Sequence, residues 1–440
     1  MLKKDFIYTI IIQVVRYMID FAKRNVDMYK VYRMVGYDYL FYTVISFLFY
    51  SIAKGLSVAQ ILYLSGFYAI FVSAFQIPTN YLVEKIGLKK SIVIGNLFWV
   101  IHCFIYIVSN EFIFFVLAEA FCAFGTTLKN LSETQMLYTS LSKINQKEKF
   151  SKIEGSGVAL FYICEAASAI VVGYLFNFDN YLPIYITFTI LVISFVMSLF
   201  FVDVQDRRTK VTEINMKDYI KGIKLVLKSN RAISMFLYGF IINGIINIFS
   251  TVQKSLLVEL NVDTINYSYI LAILTLCVGI GSKTQFIFEK VTGRKTLTVI
   301  GYIFTASMVL LGVFNLLFID SGNILNVTIT LLVICNLLIG TYRISIKKYM
   351  NNFTTSETRG KILSIFYIFE NIGRASMVFV AGIILDNAGT RITTIIVGVS
   401  VTLILYIVLK FMKSRLGLNP EEYKRKDVFG LDINEELEDA

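Results

Sequence analysis

Two short strings of the sequence place an acid at matching positions of two apolar runs. FYICE covers residues 161–165 and FYIFE covers residues 366–370, so Glu165 and Glu370 each end an aromatic stretch. A carboxylate at the centre of a bilayer is costly to ionise, so such acids face protein or a water-filled cavity. An acid in that setting can take up and release a proton. Glu165 and Glu370 are therefore our first candidates for proton coupling.

The basic residues nearby indicate which of these two acids can more easily take up a proton. Arg374 follows Glu370 by four residues and shares its helix face, which predicts an ion pair that keeps Glu370 ionised. Glu165 has no basic residue three or four positions away. We therefore expect Glu165 to be the better proton carrier of the two.

Further charged residues lie in the apolar run 112–140. Lys129 and Glu133 are four residues apart and share a helix face, and Glu119 lies ten residues before Lys129. Both acids are additional candidates for proton coupling. The alternative is that Lys129 and Glu133 neutralise each other and hold helices together.

Aromatic, amide and basic residues near these acids are candidates for lining a substrate cavity. Aromatic rings attract cations, and amides within a span bond neighbouring helices or line a path. Packing is the alternative for each of them. The candidates are Lys129, Tyr138, Phe161, Tyr162, Asn243, Asn247, Arg343, Tyr367 and Arg374.

Metal and catalytic chemistry have no signature in the sequence. The single histidine, His102, and the five cysteines lie in apolar runs without the Cys/His spacing of metal sites, and we expect them to pack. No Ser/His or paired-acid constellation occurs, and no GxxxxGK[ST] string is present. We predict no metal, no cofactor and no enzymatic activity, and ATP is excluded as a direct energy source.

The elements that must position these residues are membrane spans. The chain has 440 residues, of which 56% are hydrophobic and 17% charged, and its mean hydropathy is +0.67. A soluble protein of this composition could not keep its surface in water. About twelve apolar runs reach the length of about 20 residues that a spanning helix needs, from 36–54 to 362–386 and 391–412. The expected fold is all-α, with twelve transmembrane helices.

Basic residues alternate along the connectors between these runs. Every second connector from Lys85 onward is basic, with 22 Lys and Arg in total, whereas the intervening turns contain only Lys54 and Arg391. Basic loops are retained on the cytoplasmic side, so we expect both termini in the cytoplasm. The net charge of +11 is spread over short loops, which favours anionic lipid headgroups as the partner and excludes nucleic acid.

The chain divides at its longest polar interruption. The stretch 1–35 contains a short apolar run broken by Gln13, Arg16 and Asp20, which predicts a helix lying on the cytoplasmic membrane surface. The complete prediction is a surface segment at 1–35, a six-helix bundle at 36–202, a cytoplasmic linker at 203–231, a second bundle at 232–412 and a cytoplasmic tail at 413–440.

An internal repeat supports the division into two halves. The two FYIxE strings are 205 residues apart, and EKIGLKK at 84–90 faces EKVTGRK at 289–295 at the same offset. Two matches at one offset predict two copies of a six-helix unit, related by an axis along the membrane normal.

The loop strings carry a family resemblance. From about Gly36 to Lys413 the chain resembles a major facilitator superfamily transporter, whose loop signature after the second helix has an acid, a base, a glycine and two further bases. The run 118–143 also resembles a bacterial drug-efflux branch of that superfamily, although the fifth helix lacks the Gly-Pro pair of its proton antiporters. The gating-loop residues matched are Glu84, Lys85, Gly87, Lys89 and Lys90 in the first half and Glu289, Lys290, Gly293 and Arg294 in the second.

The resemblance implies a mechanism and a location. Glu84 would hold the two bundles together at the N-terminus of the eleventh helix, near Arg359 and Lys361. The protein would be a monomeric secondary transporter working by rocker-switch alternating access. Composition separately, through the frequent use of Ile, Lys and Asn, indicates a bacterium and hence its cytoplasmic membrane. The leading hypothesis is proton-coupled export of an amphipathic or cationic small molecule. Uptake of a polar nutrient, movement of a lipid-like or peptide substrate, and a non-transporting sensor remain alternatives.

Overall fold

The computed structural model describes residues 2–204, 223, 230–353 and 359–412, and no strand occurs among them. Helices in the first part of the chain are α1 (Leu2–Gly36), α2 (Tyr42–Leu48, continued by a π-helical turn at Phe49–Ala53), α3 (Val58–Ile86), α4 (Leu88–Val108), α5 (Phe112–Lys143), α6 (Phe150–Phe178) and α7 (Leu182–Leu199). They are followed by α8 (Asn230–Glu259), α9 (Thr264–Thr292), α10 (Thr296–Leu317), α11 (Ile324–Phe353) and α12 (Arg359–Met412).

Ten helical segments of the described residues are long and apolar enough to cross a membrane. The last helix, α12, has 54 residues and a break at Gly389, where φ is +73°, so it contains two crossings. With α12 counted as two crossings the segments number eleven, and the shorter apolar helix Tyr42–Ala53 corresponds to the remaining predicted run. The predicted all-α fold with twelve transmembrane helices is confirmed.

The N-terminal helix differs from the surface-lying segment predicted for residues 1–35. Between residues 19 and 36 it packs as part of a bundle, and its buried side chains are Ala22, Val26, Tyr29 and Tyr32. Two of its polar residues, Asn25 and Arg33, are buried as well, and Asn25 donates to Ser140 Oγ at 3.2 Å and to the Val202 carbonyl at 2.7 Å. Of the polar interruptions that suggested a membrane surface, Asp20 is exposed, and the side chains of Gln13 and Arg16 lie outside the described residues.

The chain forms two compact units. Unit 1 comprises Met1–Ser46 and Ala74–Ile214, and unit 2 comprises Phe47–Ser73 and Asn215–Ala440. Unit 2 therefore includes a segment that we predicted in the first half, because Ser65 and Tyr63 of this segment bond to Arg374 and Asp386.

Helix packing within each unit sets the position of the charged residues. In unit 1, α4 packs on α5 and α7, and α1 packs on α5, α6 and α7. In unit 2, α8 packs on α12, α9 on α11, and α10 on both α11 and α12. The tail predicted at 413–440 and most of the linker at 203–231 lie outside the described residues, so those two boundaries stay predictions.

Asp263 sets the start of α9. Its carboxylate accepts from the backbone N–H of Asn266 at 3.1 Å and from the Asn266 side chain at 2.6 Å. These bonds lower the pKa of Asp263, so the cap is ionised at neutral pH. An ionised acid at this end of a helix also interacts favourably with the helix dipole.

Candidate functional site

The most deeply buried charges lie in unit 1, where three helices meet. Arg33 at the end of α1 forms ion pairs with Glu133 on α5 and, at 2.9 Å, with Glu154 on α6. The side chains of Arg33 and Glu133 are 8% and 1% exposed, whereas that of Glu154 is 21% exposed. We call the residues Arg33, Lys129, Glu133 and Glu154 the α1–α5–α6 charge network. Its more exposed edge is Glu154.

Lys129 is the second cation of this network. Its ammonium group donates to the Gly36 carbonyl at 3.0 Å and to Asn96 Oδ1 at 2.9 Å, and it lies 3.8 Å from Glu133. It also lies 3.4 Å from the centroid of the Trp99 ring, in a cation–π contact. The pairing of Lys129 with Glu133 that their spacing indicated is therefore present, but it is one part of a larger set of bonds.

Two tyrosine hydroxyls complete the coordination of the acids. Tyr29 donates to Glu154 at 2.6 Å, and Tyr32 donates to Glu133. Two cations and two acids leave the ionised network without net charge, and the hydroxyls satisfy further oxygen atoms. Burial of so many charges is tolerated only when they are paired and hydrogen-bonded in this way.

Arg33 is absent from the residues predicted for the site, because residues 1–35 were expected to lie on the membrane surface. The signal was present in the spacing: Tyr29, Tyr32 and Gly36 recur at helical intervals and continue one buried face up to the break before α2. An arginine on such a face needs buried acids on neighbouring helices.

Glu370 occupies a different environment, in unit 2. It is half-buried in α12, and its Oε1 accepts from the hydroxyl of Tyr342 on α11 at 2.9 Å. Its backbone carbonyl accepts from Asn243 on α8 at 3.2 Å. Among the described residues Glu370 forms no ion pair. The predicted pair with Arg374 is not formed, because Arg374 turns to the Ser65 hydroxyl, to which its Nη2 donates at 2.7 Å.

Glu165 is half-buried on α6 in unit 1. Its backbone carbonyl accepts from Ser168 at 2.8 Å. Glu165 and Glu370 thus belong to different compact units. The common cavity expected for them stays a prediction.

The aromatic candidates divide into buried and exposed rings. Phe161 is fully buried and packs against Tyr37 at 5.0 Å between centroids, so packing explains it. Tyr162 and Tyr367, which precede the two FYIxE acids by three residues, are 49% and 41% exposed. Tyr138 is exposed as well and contacts Phe150.

The remaining cavity candidates lie in unit 2. Asn247 donates to the Asn243 carbonyl at 2.8 Å, one helical turn away, and both side chains are half-buried. Arg343 is exposed on α11. Asn243 also donates to the Glu370 carbonyl on α12 and thus bridges two helices, whereas the Arg343 side chain is exposed.

The two loop motifs differ in their burial. Glu84 is exposed, and the side chains of its predicted partners near Arg359 lie outside the described residues, so the latch stays a prediction. The second copy is buried, since Glu289 accepts from Gln285 at 2.6 Å and from Lys348 at 3.0 Å. The other loop positions range from half-buried (Gly87, Lys89, Gly293) to exposed (Lys85, Lys90, Lys290), and the side chain of Arg294 lies outside the described residues.

His102, Glu119 and Cys122 come together although their spacing did not predict it. The ligand atoms of the three side chains all lie within 4.8 Å of one another. Glu119 accepts from the Tyr106 hydroxyl at 2.6 Å. His102 and Cys122 are buried, as expected for packing residues, and only Glu119 and Cys122, three residues apart on α5, could have been grouped from the sequence.

Solved structures of transporters have similar folds at low sequence identity. The nucleoside transporter NupG matches with a TM-score of 0.70 and 12% identity, over 89% of this chain and 99% of that one. A POT family transporter in complex with 5-aminolevulinic acid matches with a TM-score of 0.60 and 13% identity, over 91% and 96% of the two chains. The peptide transporter POT in complex with sulfate matches with a TM-score of 0.60 and 12% identity, over 91% and 94%.

Sequence comparison identifies the family directly. No curated protein matches the chain. The family described as the Major Facilitator Superfamily matches residues 34–306 and 287–431. These ranges cover most of the chain, and the fold agrees with them. The chain therefore belongs to the Major Facilitator Superfamily and is a multi-pass membrane transporter.

Proposed function

We propose that this secondary transporter exports an amphipathic or cationic small molecule in exchange for protons, and that Glu370 carries the proton. The observation that carries the proposal is the setting of Glu370: a half-buried acid within a span, bonded to the neutral hydroxyl of Tyr342 and without an ion pair among the described residues. An acid of this kind can gain a proton without leaving a cation unpaired.

The other acids are less suited to this task. Glu133 is bonded to Arg33 and lies beside Lys129, so protonating it would leave buried positive charge uncompensated. The order expected from sequence, with Glu165 before Glu370, rested on an Arg374–Glu370 pair that is not formed. Glu165 remains the second candidate.

The two FYIxE strings support the substrate class. In each of them an exposed tyrosine, Tyr162 or Tyr367, precedes a half-buried acid by three residues on one helix face. A carboxylate next to an aromatic face attracts a cation that carries apolar groups. The repeat presents this combination once in each unit, and transporters built from two such repeats work by alternating access.

Glu370→Gln tests the coupling. Proteoliposomes containing the variant and trapped DNA would be given an acidic interior, and uptake of ethidium, an amphipathic cation, would be followed by fluorescence. We expect gradient-driven uptake to fall by on the order of tenfold or more, which corresponds to a usual coupling free energy of about 1–3 kcal/mol. Exchange without a gradient should persist. Gradient-driven uptake at the wild-type rate would overturn the role of Glu370.

The matched control is Glu259→Gln, which removes an acid that pairs with Arg391 in the same unit at 3.1 Å. It should leave coupling unchanged. Glu165→Gln runs in parallel, and a loss of coupling in that variant alone would assign the proton to unit 1. If wild-type protein does not accumulate ethidium, the proposed substrate class is wrong.

Uptake of a polar nutrient or peptide is the second candidate, and the α1–α5–α6 charge network favours it. Glu154 is the exposed edge of this network, and a substrate carboxylate could take its place on Arg33. The nucleoside and peptide transporters of similar fold carry such polar molecules. Accumulation of a dipeptide or a nucleoside in the same liposomes, with no ethidium uptake, would favour this alternative.

Topology provides a separate prediction. We propose that both termini are cytoplasmic in a bacterial cytoplasmic membrane, since 22 Lys and Arg lie in alternate connectors. Asp206→Cys and Asp320→Cys, each in a variant without the native cysteines, should react with a membrane-impermeant thiol reagent from opposite sides in intact cells and inverted vesicles. Labelling of both from the same side would contradict this orientation.

A further inference from the structure

Four side chains in unit 1 form a cluster that the proposed transport cycle does not use. His102 lies on α4, Glu119 and Cys122 on α5, and Tyr39 in the segment between α1 and α2. The Tyr39 hydroxyl lies 3.0 Å from His102 Nδ1 and 3.4 Å from Cys122 Sγ. The imidazole, carboxylate and thiol atoms all lie within 4.8 Å of one another.

We propose that His102, Glu119 and Cys122 bind a divalent transition-metal ion of the Zn²⁺ type, with the Tyr39 oxygen next to the fourth position. Imidazole nitrogen, thiolate sulfur and carboxylate oxygen are the three ligand types that zinc uses in proteins. Magnesium and calcium prefer oxygen ligands alone, so the thiol and the imidazole select against them.

The spacing of these atoms fits a tetrahedral ion. With zinc–nitrogen bonds of about 2.0–2.1 Å and zinc–sulfur bonds of about 2.3 Å, neighbouring ligand atoms lie roughly 3.3–3.7 Å apart. The contacts of Tyr39 with His102 and Cys122 are already close to these values. The other separations, which are at most 4.8 Å, need to shorten by up to about 1.5 Å, a movement that side-chain rotation can supply.

Helix geometry and neighbouring bonds orient the ligands. Glu119 and Cys122 are three residues apart and therefore share the face of α5 that packs on α4. Tyr106 donates to Glu119 at 2.6 Å, which fixes the carboxylate from outside the cluster. Metal sites commonly hold their ligands through such outer bonds.

The burial of the cluster distinguishes it from polar groups that meet by chance on a surface. His102 and Cys122 are buried, and Trp99 stacks on Tyr39 at 4.7 Å between ring centroids. On binding, the thiol releases its proton to solvent and the thiolate coordinates the ion. The ion would then tie α4 and α5 together at the segment that follows α1.

Titration of the purified protein with Zn²⁺ and Co²⁺ tests this site. We expect one ion per chain, a rise in melting temperature on binding, and the near-ultraviolet absorption that a thiolate–cobalt bond produces. Cys122→Ser should remove that absorption and weaken binding by on the order of 10–100-fold or more, which is the effect of losing even an outer partner of a metal site.

Cys103→Ser is the matched control. Cys103 adjoins His102, is buried, and contacts the Ile184 carbonyl through its sulfur at 3.9 Å, so its removal should preserve both binding and absorption. Absorption that persists in Cys122→Ser, or that is lost equally in Cys103→Ser, would overturn the site. So would the absence of stoichiometric binding by the wild-type protein.

A second variant tests the site if Cys122→Ser fails to fold. Glu119→Gln keeps the shape of the side chain and its contact with Tyr106 but removes the charge. Its melting temperature without metal reports folding independently of binding. Unchanged metal affinity in a folded Glu119→Gln protein would exclude Glu119 as a ligand and overturn the three-residue site.

Discussion

Glu133→Gln is expected to lower the free energy of unfolding by about 3–5 kcal/mol, the usual cost of removing one partner of a buried ion pair. Glu133 is 1% exposed and is bonded to Arg33, with Lys129 at 3.8 Å. Glutamine keeps the size of the side chain, and its amide oxygen can still accept a hydrogen bond from the Tyr32 hydroxyl. The loss of stability therefore reports the removal of the negative charge. Arg33 would then keep only Glu154 as an ion-pair partner, and Lys129 would lose the acid at 3.8 Å.

Unfolding in mixed micelles with increasing SDS measures this loss. Trp99 is the only tryptophan of the chain and lies 3.4 Å from Lys129, so its fluorescence reports the network directly. The double variant Arg33→Gln/Glu133→Gln should lose less than the sum of the two single variants, since it restores charge balance. Strictly additive losses would show that the pair is not coupled.

The ion pair of Arg391 and Glu259 provides the control for this prediction. Its side chains are 26% and 31% exposed, so the surroundings screen the charges. Glu259→Gln should cost less than about 1 kcal/mol. A similar cost at both acids would mean that burial does not set the energy of these pairs.

Gly281→Ala is expected to destabilise unit 2 by about 1–3 kcal/mol or more, the usual cost of adding a group to a packed interior. A Cβ at Gly281 would lie 2.0 Å from the Leu337 carbonyl oxygen, and a Cβ at Gly340 would lie 2.0 Å from the Val278 carbonyl oxygen. Because each glycine faces the backbone of the other helix, no side chain can rotate away. Small residues that allow close helix contact are common in membrane proteins.

Gly279→Ala is the matched control, since a Cβ there would meet no atom within 4 Å. Alanine has a better helix propensity than glycine, by up to about 1 kcal/mol, so this variant should be neutral or slightly more stable. The melting temperature of the three proteins in one detergent gives the comparison. Equal melting temperatures for Gly281→Ala and wild type would mean that α9 and α11 can separate without loss.

The spans were predictable because the bilayer imposes a local rule. A crossing needs about 20 apolar residues whatever it packs against, so hydropathy alone locates it. The predicted break between the runs 362–386 and 391–412 falls at Gly389, where a positive φ interrupts α12. The first predicted run, 36–54, contains the apolar helix Tyr42–Ala53, but hydropathy did not indicate that α1 before it packs into unit 1, because its buried polar residues Asn25 and Arg33 are bonded to distant parts of the chain.

The candidate site was only partly predictable, since it depends on partners distant in sequence. The pairing of Lys129 with Glu133 follows from a spacing of four residues within one helix. Arg33 and Glu133 are 100 residues apart, and Arg374 and Ser65 are 309 apart. No periodicity within a single helix can indicate which distant helix will face it.

Sequence by itself determined the class of this protein: apolar runs, basic connectors and a repeat at an offset of 205 residues define a twelve-helix transporter. Tertiary structure decided which charges are paired, and it left Glu370 with a tyrosine partner while placing Glu133 between two cations. The physical reason is that hydropathy acts on each segment separately, whereas the energy of a buried charge depends on the atoms that neighbouring helices bring within a few ångströms of it.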